Sequence, residues 1–174
     1  MVEMKTYLSK IDTATTGNRA DVTPVFADAG CFADLVEDLA RPFEASQLDY
    51  VACVDALGFI LGTAIARHLG IGIVPIRKGG KLPVASESEE FTDYSGETKR
   101  LEIRTGILPP QARVLLVDEW IETGAQIAAA AKLIEAQGGT IVGIATINMD
   151  QNDDTAAIVK KYRVHTVWEA ERSS

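Results

Sequence analysis

The feature that most constrains this chain is the run Val-Leu-Leu-Val at residues 114–117, which is followed at once by two acids, Asp118 and Glu119. Four branched apolar residues without polar alternation predict a strand that is buried on both faces, which is typical of a parallel sheet. Strands of this kind are connected by helices that cover the sheet. The run therefore predicts an α/β fold with a mostly parallel central sheet flanked by helices.

A turn and a helix follow the two acids. Thr123 and Gly124 indicate the turn, and apolar residues recur at helical spacing over 127–136 before two glycines end the segment. In an open α/β sheet, ligands bind outside the carboxyl ends of the strands, so we expect Asp118 and Glu119 at the binding edge beside a helix N-terminus. Acids next to an anion-binding turn suggest one ligand that contains both hydroxyls and a phosphate.

The remaining apolar patterns support a single domain over residues 1–174. A strand at 50–54, a buried helix at 59–69 and a strand at 71–76 have the order of a βαβ unit. Further predicted elements are an amphipathic helix at 32–43, strands at 99–104, 140–147 and 164–168, and a short helix between Asn152 and Lys161. Residues 21–26 look extended or turn-like.

Residues 84–98 differ from the rest of the chain, because they contain few apolar residues and include the charged run 86–90. Composition alone favours a solvated loop. Loops of this length inside a compact domain are often lids over an active site, so a lid is the second interpretation.

Charge and composition exclude several classes of protein. The net charge of −8 leaves no general basic surface for nucleic acid, and positive charge is local, at residues 77–81. No apolar run approaches membrane-spanning length and residues 1–10 are too polar for a signal peptide, so we expect a cytoplasmic protein without a membrane partner. Cys31 and Cys53 lack metal-ligand spacing, and buried free thiols are expected.

Three separated motifs resemble those of type I phosphoribosyltransferases, and most of all those of adenine phosphoribosyltransferases. Residues 114–126 are similar to the phosphoribosyl-diphosphate motif of the family, residues 54–59 to its diphosphate loop, and residues 75–83 to a pattern of the adenine enzymes. The resemblance implies that fold, with a small N-terminal hood over 1–30 and a flexible lid loop over 84–98. It also implies Mg²⁺ as cofactor, phosphoribosyl diphosphate and a purine base or nucleotide as ligands, and a homodimer.

The resemblance assigns one part of the ligand to each motif. The ribose hydroxyls would donate to Asp118 and Glu119, whose charge would stabilise the cationic sugar formed as diphosphate leaves. The 5-phosphate would bind the turn formed by Glu122, Thr123, Gly124, Ala125 and Gln126. The diphosphate would bind a loop in which the family often has a non-proline cis peptide, formed by Asp55, Ala56, Leu57 and Gly58, with Arg77, Lys78 and Lys81 as cations. Mg²⁺ would arrive on the diphosphate, without a direct protein ligand.

Two further acids are candidates for proton transfer. Asp93, beside Tyr94, lies where relatives have a glutamate, and an acid at Glu122 is similar to an aspartate of the 6-oxopurine enzymes. Each could equally be an ordinary surface acid.

The chain also departs from the adenine enzymes. Leu57 replaces an arginine of the diphosphate loop, Gln126 replaces a phosphate-binding hydroxyl, and Arg19 and Ala20 replace a Phe-Arg pair that helps to enclose adenine. Three hypotheses follow: an adenine phosphoribosyltransferase, a regulator that binds phosphoribosyl diphosphate or a nucleotide with little turnover, and a 6-oxopurine phosphoribosyltransferase.

Overall fold

The structure, a computed structural model, describes residues 5–17, 19–93 and 95–168. Within these ranges a seven-stranded sheet has the strand order β3-β4-β2-β1-β5-β7-β9, and β6 and β8 form a second, two-stranded sheet. The strands are β1 (Tyr50–Val54), β2 (Gly72–Lys78), β3 (Ser86–Thr92), β4 (Thr98–Arg104), β5 (Arg113–Val117), β6 (Trp120–Ile121), β7 (Thr140–Thr146), β8 (Asn148–Met149) and β9 (Val164–Thr166). The helices are α1 (Thr23–Phe26), α2 (Ala29–Ala40), α3 (Leu57–Leu69), α4 (Ala125–Ala136) and α5 (Asp153–Lys161).

The centre of the sheet is parallel, as the sequence predicts. Strand β1 pairs with β2 and β5, β5 pairs with β7, and β7 pairs with β9, all in parallel. Residues 114–117 of β5 are fully buried, at 0% exposure. The two faces of β5 contribute to different cores: Leu115 and Val117 pack with α2 and α3, whereas Val114 and Leu116 pack with α4. Helices on both faces remove the whole strand from water, which explains its continuous apolar sequence.

The segment 84–98 is not a solvated loop over most of its length. Strand β3 pairs antiparallel with β4, in a register that runs from Ser86 opposite Arg104 to Thr92 opposite Thr98. Its alternate side chains face α4, where Lys132 Nζ donates to Glu89 (2.6 Å) and Gln137 Nε2 donates to Glu87 (3.0 Å). The inward face of this edge strand is therefore mainly charged, and the expectation of a loop from low apolar content was wrong here. The lid function of the hairpin stays a prediction.

The structure defines two short elements that the sequence left open or did not predict. Of the extended and turn-like alternatives for residues 21–26, Thr23–Phe26 form a turn, which is helical and has proline near its start. Beyond the ends of β5 and β7 the chain pairs again, as β6 with β8. These two-residue strands are too short to produce a recognisable period in the sequence.

The hood segment is attached to α2 by a buried polar contact. Tyr7 is 1% exposed, and its hydroxyl donates to Asp38 Oδ2 at 2.8 Å, while Lys5 forms an ion pair with the same carboxylate. Backbone hydrogen bonds between Asp12 and Asp21 then close a loop that includes Arg19. None of the helices in the described ranges combines the length and the apolar character needed to cross a membrane.

Close packing of α3 on β1 gives a stability prediction. A Cβ at Gly62 would overlap the Cβ of Cys53, whereas a Cβ at Gly30 in α2 would find its nearest neighbour at an ordinary 3.5 Å. We expect Gly62→Ala to lower the free energy of unfolding by about 1–3 kcal/mol through overpacking. Gly30→Ala should raise it by up to about 1 kcal/mol, because alanine is the better helix former. Urea denaturation of both variants measures the difference, and equal stability of Gly62→Ala and the wild type would contradict this packing.

Candidate active site

A cleft of about 1020 Å³ lies at the carboxyl ends of β1 and β5. Most of the residues predicted from the sequence line it, namely Asp55, Ala56, Leu57, Lys78, Asp93, Asp118, Glu119, Glu122, Thr123, Gly124 and Gln126. Four predicted residues lie outside its lining: Gly58, Arg77, Lys81 and Ala125. The separated motifs therefore meet in one cavity, as the rule for parallel sheets predicts.

Asp118 is the most deeply buried acid of the cleft. It is 4% exposed, and its two oxygens accept hydrogen bonds from the Glu119 backbone N–H and from Gln126 Nε2, both at 2.8 Å. Burial raises the pKa of Asp118 to about 7, against the opposing effect of these two donors. Burial also raises the pKa of Glu119, which is 6% exposed. A ligand that donates hydrogen bonds to a buried carboxyl group stabilises its ionised form.

The turn before α4 has the geometry of an anion site. Gly124 has φ +82°, a backbone conformation that favours glycine, and a Cβ there would also displace Ile158 Cδ1, which would lie 2.6 Å away. Thr123 Oγ1 accepts from the Ala125 N–H at 3.3 Å, and the Glu122 carbonyl accepts from Asn152 Nδ2 at 2.8 Å. Helix α4 begins at Ala125, so its unsatisfied N–H groups and the positive end of its dipole face the turn.

The diphosphate loop connects β1 to α3. The peptide bond between Asp55 and Ala56 is cis, in agreement with the resemblance. Gly58 packs tightly on the end of β5, since a Cβ there would lie 3.1 Å from both the Val117 carbonyl and Asp118 Oδ1. This close approach brings the loop next to Asp118 and Glu119. Leu57 projects a 37% exposed apolar side chain.

The basic residues predicted for the diphosphate have different positions. Lys78 lines the cleft, whereas Arg77 lies behind it with Nε 3.9 Å from Asp55 Oδ2. Arg77 Nη1 also donates to the Lys81 carbonyl at 3.1 Å. Arg77 therefore connects the diphosphate loop with the basic turn, and Lys78 is the member of the group that reaches the cavity.

Asp93 lies at the tip of the hairpin, on the cleft wall. Its Oδ1 accepts from the backbone N–H (2.9 Å) and the hydroxyl (2.6 Å) of Ser95, and Lys99 forms an ion pair with it. The Lys99 and Ser95 contacts lower the pKa of Asp93, despite its partial burial. The carboxylate therefore stabilises the tip of the hairpin through these contacts. Its suggested part in proton transfer stays a prediction, and Tyr94 lies outside the described residues.

Several residues that line the cleft have no role predicted from the sequence, and Arg19 is the one among them that contacts two of the predicted acids. Its Nε donates to Glu122 Oε1 at 2.7 Å, and Nη1 lies 3.7 Å from Glu119 Oε2. The hood thus contacts two acids of the cleft through one guanidinium. The only signal in the sequence was the departure at Arg19 itself, since its partner at position 122 is 103 residues away.

In the described part of the chain no group of three or more His, Cys, Asp or Glu side chains could hold a metal ion. Asp118 and Glu119 form an adjacent pair among the carboxylates that line the cleft. Hard oxygen ligands of this kind suit Mg²⁺, but two side chains do not make an all-protein cage. The donor set fits a metal that enters with the ligand.

Comparison with known proteins agrees with this geometry. The profile of the phosphoribosyl transferase domain matches residues 29–171, most of the chain. The chain belongs to the phosphoribosyltransferase family. Its fold class, an α/β fold with a mostly parallel central sheet flanked by helices, is that of the family.

Relatives that the chain resembles in sequence are adenine phosphoribosyltransferases. The enzyme of Xanthomonas oryzae is 42% identical over 127 residues, which is 73% of this chain and 68% of the relative. The enzyme of Rhodococcus jostii is 43% identical over 129 residues, 74% of this chain and 71% of the relative. Among solved structures, adenine phosphoribosyltransferase of Thermoanaerobacter pseudethanolicus has a TM-score of 0.85 at 33% identity, covering 94% of this chain and 98% of that one. The yeast enzyme, solved with adenine and an imino-altritol bisphosphate, has a TM-score of 0.77 at 27% identity, covering 90% of both chains.

The raised pKa of Asp118 predicts a pH-dependent stability. Because the folded pKa is about 7 and the ordinary value is 3.8, the folded state binds the extra proton between these values. The resulting stabilisation is complete below the ordinary pKa and is lost as pH rises through the folded pKa. From about pH 6 to about pH 8, the wild type should lose about 1 kcal/mol of unfolding free energy relative to Asp118→Asn, which has no titrating group at position 118. Denaturation of both proteins at several pH values measures the difference; parallel pH curves would show that Asp118 is already ionised.

Proposed function

We propose that this protein transfers 5-phosphoribose from phosphoribosyl diphosphate to a nitrogen of adenine, releasing diphosphate and forming AMP. The observation that supports this most directly is the meeting of buried Asp118 and Glu119 with a glycine turn at the start of α4. One wall of the cleft suits vicinal hydroxyls and the adjoining wall suits a phosphate. The relatives described above favour adenine as the acceptor.

In this proposal the ribose hydroxyls donate hydrogen bonds to Asp118 and Glu119. Hydrogen-bond donors from the ligand replace the water that burial has removed from these carboxylates, so the ionised form becomes favourable again. Departure of the diphosphate leaves positive charge on the ribose ring. Two carboxylates fixed beneath the ring stabilise this charge without reorganising, which is where the rate enhancement arises.

The phosphates occupy the two loops on either side of the acids. The backbone N–H groups from Thr123 to Gln126 hold the 5-phosphate at the start of α4. The loop from Asp55 to Gly58 receives the diphosphate, with Lys78 as the cation on the cleft wall. The tip of the β3–β4 hairpin, which includes Asp93, lies beside the same cavity and acts as the lid that excludes water.

Further parts of the proposal concern the cofactor, the assembly and the location. Mg²⁺ would enter with the diphosphate and lie beside Asp118 and Glu119, without a direct protein ligand, and it would neutralise charge on the leaving group. The protein acts as a homodimer in the cytoplasm. Each of these is open to a direct measurement: metal dependence of turnover, sedimentation and cell fractionation.

The first experiment tests the reaction and the base. With phosphoribosyl diphosphate and Mg²⁺, AMP should form from adenine, and hypoxanthine, guanine and xanthine should react at least about tenfold more slowly. Chromatography of the products identifies the nucleotide. Turnover with a 6-oxopurine in preference to adenine would replace the proposed acceptor, and tight ligand binding without turnover would favour a regulator.

The second experiment tests the acid pair. Asp118→Asn and Glu119→Gln should each lower kcat/KM about 100-fold or more, because each removes charge that stabilises the transition state. Steady-state kinetics should assign most of the loss to kcat. The control is Glu37→Gln, an exposed acid of α2 that pairs with Arg41, and it should have wild-type kinetics. Full activity of Asp118→Asn would remove the assigned role of the pair.

A further inference from the structure

Arg19 connects the hood to the acidic wall of the cleft. Its contacts with Glu122 (2.7 Å) and Glu119 (3.7 Å) are made by Nε and Nη1 of the guanidinium, respectively. Glu122 is largely buried, with a side-chain exposure of 17%, and the Arg19 side chain is 43% exposed. The guanidinium therefore lies over the acids while part of it still faces the open cleft.

The position of Glu122 presents an electrostatic problem for the proposed function. Three acids, Asp118, Glu119 and Glu122, lie within five residues of sequence, and the last is the first residue of the phosphate turn. A phosphate brought to this turn carries negative charge, so an uncompensated carboxylate beside it would weaken binding. The N-terminus of α4 offsets only part of this repulsion, since a helix dipole amounts to about half a charge.

We infer that Arg19 and Glu122 form one charge-compensating unit that positions the guanidinium for the sugar-phosphate part of the substrate. Glu122 orients Arg19 through the 2.7 Å hydrogen bond, and Arg19 neutralises Glu122 and provides donors to the phosphate. Arg19 is a positioning and binding residue in this arrangement, and Glu122 is a positioning residue rather than a free proton acceptor. The inference rests on the proposed function, because it concerns the same substrate.

A double-mutant cycle tests the unit, with ribose 5-phosphate as the calorimetric probe. Arg19→Gln should weaken binding about tenfold or more, because the Glu122 charge is then unpaired beside the phosphate. Glu122→Gln alone should weaken binding by about threefold, through loss of orientation. In the Arg19→Gln background, however, Glu122→Gln should strengthen binding by about threefold or more, because it removes the unpaired charge. The decisive result is this reversal of sign.

Kinetics and conservative substitution provide readouts that a merely structural role would not change. Arg19→Gln should raise the KM for phosphoribosyl diphosphate about tenfold while changing kcat less than about threefold. Arg19→Lys should recover part of the loss, and the Arg19→Gln defect should shrink at high salt, where charge repulsion is screened. The matched control is the exposed Arg41–Glu37 pair of α2, whose contact is 2.8 Å; Arg41→Gln and the double variant with Glu37→Gln should bind as the wild type does.

The outcomes separate the inference from the function on which it rests. If the wild type binds and Arg19→Gln binds with the same affinity, the inference is overturned and the transferase proposal is left intact. The same holds if the wild type binds and Glu122→Gln changes the affinity in the same direction in both backgrounds. Failure of the wild type to bind ribose 5-phosphate or to turn over overturns both. Thermal denaturation of each variant excludes unfolding as the cause of a loss.

Discussion

The burial of two carboxyl groups at the end of β5 is the constraint on which the rest of this structure depends. β5 lies inside the sheet and is covered on both faces, so the two residues that directly follow it are also removed from water. Asp118 and Glu119 are accordingly 4% and 6% exposed. Burying such groups is unfavourable unless donors or cations reach them, and the surrounding elements bring both. Gln126 approaches from α4, a backbone N–H from Glu119, and Arg19 from the hood.

The approach of these elements sets the requirements for individual residues. Gly58 allows α3 to lie within about van der Waals distance of Asp118, with a Cβ position 3.1 Å from its carboxylate oxygen. Gly124 turns the chain so that α4 points its N-terminus towards the same acids. The turn before α4, the loop 55–58 and the paired acids are thus adjacent because all three are packed around one strand end.

The sequence predicted the parts of the fold that depend on local pattern. β1 was predicted at its observed bounds, and α2, α3, α4 and β5 differ by a few residues, because continuous apolar runs and helical periods identify buried elements directly. β3 was missed because its inward side chains are acids whose partners, Lys132 and Gln137, lie 43 and 50 residues away in α4. The composition of residues 84–98 gives no indication of those partners. The cleft residues of the motifs were predicted through resemblance, whereas Arg19 depends on a contact across 103 residues and could not be.

Two of the departures from the usual adenine-enzyme pattern contact each other, and a third contacts an acid of the cleft. Gln126 takes the place of a hydroxyl, and its amide donates to Asp118 at 2.8 Å. Glu122 adds an acid to the phosphate turn, and Arg19 pairs with it at 2.7 Å. Nothing in the structure explains Leu57. If the site had lost its catalytic activity, a substituted residue would not need a contacting partner, because the absence of that partner would not impair function. Here Arg19 supplies a cation to acids of the cleft, and Gln126 supplies a hydrogen-bond donor to Asp118. Glu122 is the acid with which Arg19 pairs. This pattern favours an enzyme that retains transfer with a rearranged charge network over a regulator that has lost it.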